Sequence, residues 1–222
     1  MSDATFLHCP ELAARGFEHG FGTRGSGDAA LSDLVTVRQV HGRDVLRAPL
    51  PAGAQSADAL WTSQPGLAVA VRTADCVPIL LVDQRSRAVA AVHAGWRGSA
   101  ARIAEHAVAT LCASIGAAPG ELCAAIGPHI GPCCYEVDGP VLAAIDEPRV
   151  FRGASRPGHA QLDLLQLNRL QLLRAGLHAD SIWSVAGCTS CEPRFDSYRR
   201  DRSSGGAGRM LHYVRMKYLS TS

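Results

Sequence analysis

A chain of 222 residues with 47% apolar side chains can bury a substantial core, and its length fits one domain over residues 1–222. A net charge of +2 without any Lys/Arg-rich run excludes binding to nucleic acid or an anionic membrane through bulk charge. No window of about 18 residues is uninterruptedly apolar, and MSDATFLHCPELAARGFEHG lacks a basic segment followed by an apolar one, so a cytoplasmic protein is expected. The eight cysteines are read as reduced thiols, because a core of this size needs no disulfide staples and adjacent Cys133 and Cys134 make awkward partners.

In chain order, short extended runs dominate the first half: TFLH, the region around LVTVRQV, DALWT, GLAVAVR, VPILLV and RAVAAVH. The last two flank DQRSR, a polar turn, and read as a hairpin. Ser99 is placed to cap a helix in AARIAEHAVATLCASIG, where Ile103, Ala107, Leu111 and Ile115 recur every four residues before Gly116. ELCAAIG follows as a strand, DGPVLAAID as a short helix and DLLQLNRLQLLRAG as a long one ending near Gly176. SIWSVAG and GRMLHYVRMK close the chain as strands. Strands arrive in adjacent groups rather than alternating with helices, which predicts an α+β layered domain with mixed sheets. No coiled-coil seam or isolated apolar stripe marks a partner face, so a monomer is expected.

Three residues stand at strand ends beside turn formers: His41 in RQVHGRD, Cys76 in RTADCVP and His93 in AVHAGWRG. Cys and two His form a donor set for Zn²⁺ that leaves a fourth position for water or substrate. Each also has a plainer reading, Cys76 as a small buried group and the histidines as turn surface. His19, His106 and His212 are taken as structural or solvent-facing. IGPHIGPCCYEV, stiffened by two Gly-Pro pairs, presents His129, Cys133, Cys134 and Tyr135 on a rigid loop or is a plain connector. Arg199, Arg200, Arg202 and Arg209 can hold an anion through their guanidinium forks or can be solvated surface. CTSC at 188 to 191 has no second CxxC to complete a zinc ribbon. Asp75 is a candidate general base, or orders its turn through backbone hydrogen bonds.

HGFGTR, QVHG, TADCVPILL, AVHAGWRG, IGPHIGPCCYEV and GCT with SYRRD and GR occur along nearly the whole chain in the order of the YfiH-like, or laccase-domain, family, which this sequence resembles. The resemblance implies an α/β/β/α layered fold and a purine nucleoside phosphorylase. Such an enzyme cleaves adenosine, inosine and methylthioadenosine with phosphate, and has adenosine deaminase activity. It places zinc on His41, Cys76 and His93, which would also be the catalytic residues, with copper as the alternative metal, and makes Arg24, Cys134, Tyr198 and Arg199 candidates to line the substrate site. The stretch between SYRRD and GR departs from the family pattern by added Ser and Gly. Two rival functions remain. One is a copper-dependent polyphenol oxidase, although no His-x-His pair is present for a multicopper centre. The other is a hydrolase or editing factor on a peptidoglycan precursor, with Cys76 as nucleophile and His93 as base.

Overall fold

The computed structural model describes residues 5–26, 31–53, 55–153, 156–203, 205–206 and 208–217. Ser204 and Ala207, in the Ser/Gly-lengthened stretch, lie outside them.

The chain runs β1 (Phe6–Leu7), α1 (Pro10–Ala14), β2 (Glu18–Gly22), β3 (Leu34–Val35), β4 (Val45–Arg47), β5 (Ala59–Thr62), β6 (Ala68–Thr73), β7 (Val77–Asp83) and β8 (Val89–Ala94). It continues through α2 (Trp96–Ala100), α3 (Ile103–Ile115), β9 (Leu122–Ile126), β10 (Glu136–Val137), α4 (Gly139–Ala144), β11 (Phe151–Gly153) and β12 (Ala160–Leu162). The last elements are α5 (Leu164–Arg174), β13 (Ile182–Ser184), α6 (Tyr198–Asp201) and β14 (Met210–Arg215). A mixed six-stranded sheet, β13-β9-β7-β8-β5-β4, packs on a mixed five-stranded one, β1-β2-β14-β6-β3, and β10-β12-β11 form a small third sheet. This is the α+β layered fold expected from the sequence.

The hairpin β7–β8 is the centre of the larger sheet, and every residue of both strands is buried. Their side chains divide by alternation. Ile79, Leu81, Ala90 and Val92 meet Ile103, Ala107 and Leu111 of α3 and Leu164, Leu167 and Leu172 of α5. Leu80, Val82, Val89 and Ala91 face the five-stranded sheet, where Phe21, Val69, Val71 and Val214 meet them. His93 follows Val89 and Ala91 by two-residue steps and so turns toward the space between the sheets. Asp83, fully buried at the hairpin turn, is held by two bonds from the Arg87 guanidinium, at 2.9 and 2.7 Å.

Two expectations are corrected. The helix does not start at Ser99: α2 begins directly after Gly95, breaks at Arg102 (φ 60°) and restarts as α3. Ser99 lies inside α2, where its hydroxyl bonds Asn168 of α5 instead of a helix N-terminus. The run LVTVRQV forms only the two-residue β3. Beyond it the Gln39 side chain replaces the backbone ladder, accepting from Arg72 N (2.7 Å) and donating to Arg72 O (2.8 Å) on β6. No described helix is long and apolar enough to cross a membrane.

Candidate active site

At one end of the hairpin, the donor atoms of His41, Cys76 and His93 all lie within 4.8 Å of one another. Cys76 immediately precedes β7, and His93 lies opposite Pro78 in the β7–β8 register. The hairpin therefore sets these two side by side. His41 comes from a separate loop, with its ring 4.8 Å from that of His93 and nearly perpendicular to it.

The organiser of this cluster is Asp58, fully buried. Its carboxylate accepts the His93 Nδ1–H (2.8 Å) and the backbone N–H groups of Val40 (3.2 Å), His41 (2.9 Å) and Gly42 (2.7 Å). Its own carbonyl accepts His93 N at 2.7 Å. Burial opposes ionisation of Asp58, but these donors outweigh it and hold its carboxyl below the ordinary value. With Nδ1 committed to Asp58, the Nε2 of His93 is the nitrogen left for a ligand, the arrangement that carboxylates impose on metal-bound histidines. His41 takes a left-handed φ of 60° to bring its N–H to Asp58.

Cys76 is polarised by the same neighbours. Burial opposes its ionisation, yet the charge of His93 and hydrogen bonds from His41 and His93 bring the thiol down to about 6. Burial opposes the charge on His93 as well; Cys76 and Asp58 outweigh it and raise the imidazole to about 9. A Cβ at Gly95 would stand 2.9 Å from Cys76 Sγ and 3.0 Å from His41 Cδ2, so the turn closes over the cluster only with glycine there.

The cluster opens onto a cavity of about 630 Å³. Its walls include Arg72, Arg97, Arg199, Arg202 and Arg209 together with Trp96, Tyr135 and Tyr198. Tyr198 is 61% exposed and stands at the rim. Arg199 is held in place, its guanidinium donating to the carbonyls of Cys134 and Glu136 and lying 5.2 Å from the Tyr135 ring. Cys134 and Arg24 fall outside the described lining. The Cys134 thiol turns toward Cys191 (3.3 Å), and Arg24 pairs with Asp196 and Asp201. Arg200 likewise holds Asp201 and the carbonyls of Thr189 and Phe195.

Asp75 acts as a clasp. It has a left-handed φ of 86°, and its carboxylate accepts Thr189 Oγ1 and Arg199 N, each at 2.6 Å, while its carbonyl accepts Ile130 N at 3.0 Å. This ties the Cys76 turn to α6 and to the loop after β9. His106 is exposed and His19 and His212 are buried, within the structural or solvent-facing reading, while His129 is buried instead of being presented by its loop. His212 accepts Gly22 N (3.2 Å) and bonds Thr73 Oγ1 (2.8 Å); burial first, then the charge of His93, lower it to about 3, so it is neutral. Asp58 escaped the reading of the sequence. Its one signal there is a carboxylate set among the apolar residues of ADALW, where only a strong partner justifies burial.

Residues 24–217 match the family described as multi-copper polyphenol oxidoreductase laccase. The purine nucleoside phosphorylase YlmD of Geobacillus stearothermophilus is 42% identical over 201 residues, covering 83% of this chain and 72% of the relative. The purine nucleoside phosphorylase YfiH of Escherichia coli is 37% identical over 188 residues, covering 82% and 74%. The crystal structure of the hypothetical protein YfiH of Bacillus licheniformis superposes with a TM-score of 0.85 at 29% identity, covering 98% of both chains. With motifs, fold and relatives in agreement, the chain belongs to the YfiH/YlmD laccase-domain family.

Proposed function

We propose that this chain is a zinc-dependent purine nucleoside phosphorylase that cleaves adenosine, inosine and methylthioadenosine with phosphate to the base and a (methylthio)ribose 1-phosphate, and that it also deaminates adenosine. The observation that carries the reading is the His41/Cys76/His93 cluster opening onto an arginine-rich cavity, in a chain whose relatives are named purine nucleoside phosphorylases.

The donor set fits Zn²⁺: one thiol whose ionisation is already favoured, two imidazoles, and an Asp58 carboxylate that fixes which nitrogen of His93 is presented. Zinc held there would supply Lewis acidity and activate an oxygen nucleophile near neutral pH. The protein's own side chains do the rest. Arg72, Arg97, Arg202 and Arg209 bring positive charge to the wall where phosphate would be received. Trp96 and Tyr135 offer aromatic surface for the purine, and Asp75 and Arg199 keep that wall in register.

Incubation with inosine and phosphate is expected to release hypoxanthine and ribose 1-phosphate. Absence of base release from adenosine, inosine and methylthioadenosine alike refutes the proposal. The family description favours a second reading, a copper oxidase acting on phenols. Against it, neither group of candidate metal donors among the described residues brings together more than two imidazoles, whereas multicopper chemistry needs several. Oxygen consumption with a phenol by the copper-loaded protein decides between them.

A further inference from the structure

Outside the His41/Cys76/His93 cluster, the structure gathers four thiols that the proposed reaction does not use. Cys133 and Cys134 come from the rigid loop after β9, Cys188 and Cys191 from the CTSC turn before α6, and their Sγ atoms all lie within 4.8 Å of one another. The Cys133–Cys188 and Cys133–Cys191 separations are 3.6 Å, and Cys134–Cys191 is 3.3 Å. A tetrahedral ion with bonds of about 2.3 Å to sulfur sets its ligands about 3.8 Å apart, close to these edges. A disulfide would draw one pair to about 2.05 Å.

The backbone is arranged to hold the thiols together. His129 and Cys188 form a parallel bridge, with Thr189 N donating to His129 O at 3.0 Å. The CTSC turn closes through Cys191 N on Cys188 O (3.1 Å), and Gly131 N donates to Cys188 Sγ at 3.2 Å, a bond suited to a thiolate. The Arg200 guanidinium lies against the carbonyls of Thr189, Ser190 and Glu192, bringing positive charge beside the turn. The thiols that meet CTSC are thus not a second CxxC but the adjacent pair in GPCCY.

We infer that Cys133, Cys134, Cys188 and Cys191 bind a second metal ion, a structural Zn²⁺ in a tetrathiolate site. Four thiols give up four protons to solvent as four Zn–S bonds form, and no group is oxidised or reduced. All four positions are filled by protein, so the ion does no chemistry. It clamps the loop carrying Tyr135 to the segment carrying Tyr198 and Arg199, which fastens one wall of the cavity. The inference does not depend on the identity of the substrate.

The test uses the full chain, reduced and stripped of metal, with Cys76→Ser removing one ligand of the other cluster. Titrated with Co²⁺ alone, this variant is expected to develop intense tetrahedral and thiolate charge-transfer absorption that saturates at one ion per chain and is bleached by Zn²⁺. Adding Cys188→Ser and Cys191→Ser abolishes it. In the unmutated protein, whose folding is not in question, Zn²⁺ is expected to shield Cys133, Cys134, Cys188 and Cys191 from alkylation, and a chelator to expose them. A Cys76→Ser protein without a cobalt thiolate spectrum, no Zn²⁺ protection of the four cysteines, or disulfides among them in protein alkylated before reduction each overturns the inference.

Discussion

Gly95→Ala tests how tightly the proposed zinc site is built. Gly95 has φ −72° and ψ 169°, open to any residue, so the substitution acts through contact and not through backbone strain. The new methyl would lie 2.9 Å from Cys76 Sγ and 3.0 Å from His41 Cδ2, where non-bonded atoms settle at about 3.5–4.0 Å. Relief takes a displacement of about 0.5 Å or more, while metal–ligand distances tolerate only about 0.2 Å. The expected result is a loss of zinc affinity at this site of about tenfold to a hundredfold, the range seen when a ligand's support is disturbed. Stability should fall by about 1–3 kcal/mol from overpacking. The assay is chelator competition for Zn²⁺ paired with thermal unfolding, with Gly139→Ala as control, since a Cβ there meets nothing within 4 Å. Wild-type zinc affinity in Gly95→Ala refutes the reasoning, because the methyl can be accommodated only if the three ligands are not held at that spacing.

Asp58→Asn places an amide among four N–H donors and is expected to destabilise the fold by about 1–3 kcal/mol; it should also weaken zinc binding, since Nδ1 of His93 loses its carboxylate. An unchanged unfolding midpoint with full metal content would contradict that. In metal-free protein, alkylation of Cys76 should rise with pH through about 6, instead of near the ordinary thiol value of 9.0, because the deprotonated form is the one His93 and His41 favour. Peptide-resolved alkylation rates across pH measure this, and His93→Gln should move the rise upward; a midpoint left near the ordinary value would show that the imidazoles do not hold a thiolate. Arg209→Ala is expected to raise the KM for phosphate at least about tenfold, as loss of a charge-assisted bond implies, with little change in the KM for inosine. An equal rise in both constants would remove Arg209 from the phosphate wall.

The sequence made the hairpin legible because two apolar runs around DQRSR have only one way to bury both faces, and that fixes Cys76 and His93 as neighbours. Local pattern put His41 only at a turn, and the family resemblance alone joined it to Cys76 and His93, since its position depends on Asp58, a contact between separate segments that no local pattern encodes. The same limit applies to CTSC, which looked incomplete until the bridge between His129 and Cys188 brought it against Cys133 and Cys134. Arg199 and Arg24 illustrate a different ambiguity. The arginine run marks Arg199 as an anion binder and the family resemblance adds Arg24 to the substrate lining, but Arg199 is bonded to main-chain carbonyls of the cavity wall and Arg24 is engaged by Asp196 and Asp201, and only neighbours decide which.

Gln39 stands two residues before His41 and is stitched to β6 of one sheet, while His41 itself is fastened to Asp58, which directly precedes β5 of the other. The histidine therefore works as a cross-strut between the two sheets. Sliding one sheet over the other changes the spacing of the donor set directly, so the stiffness of the proposed zinc site is the stiffness of the interlayer core. Looser packing in the interlayer core that Leu80 and Val71 help form would be felt as a wider spacing of the three donors well before the protein unfolds.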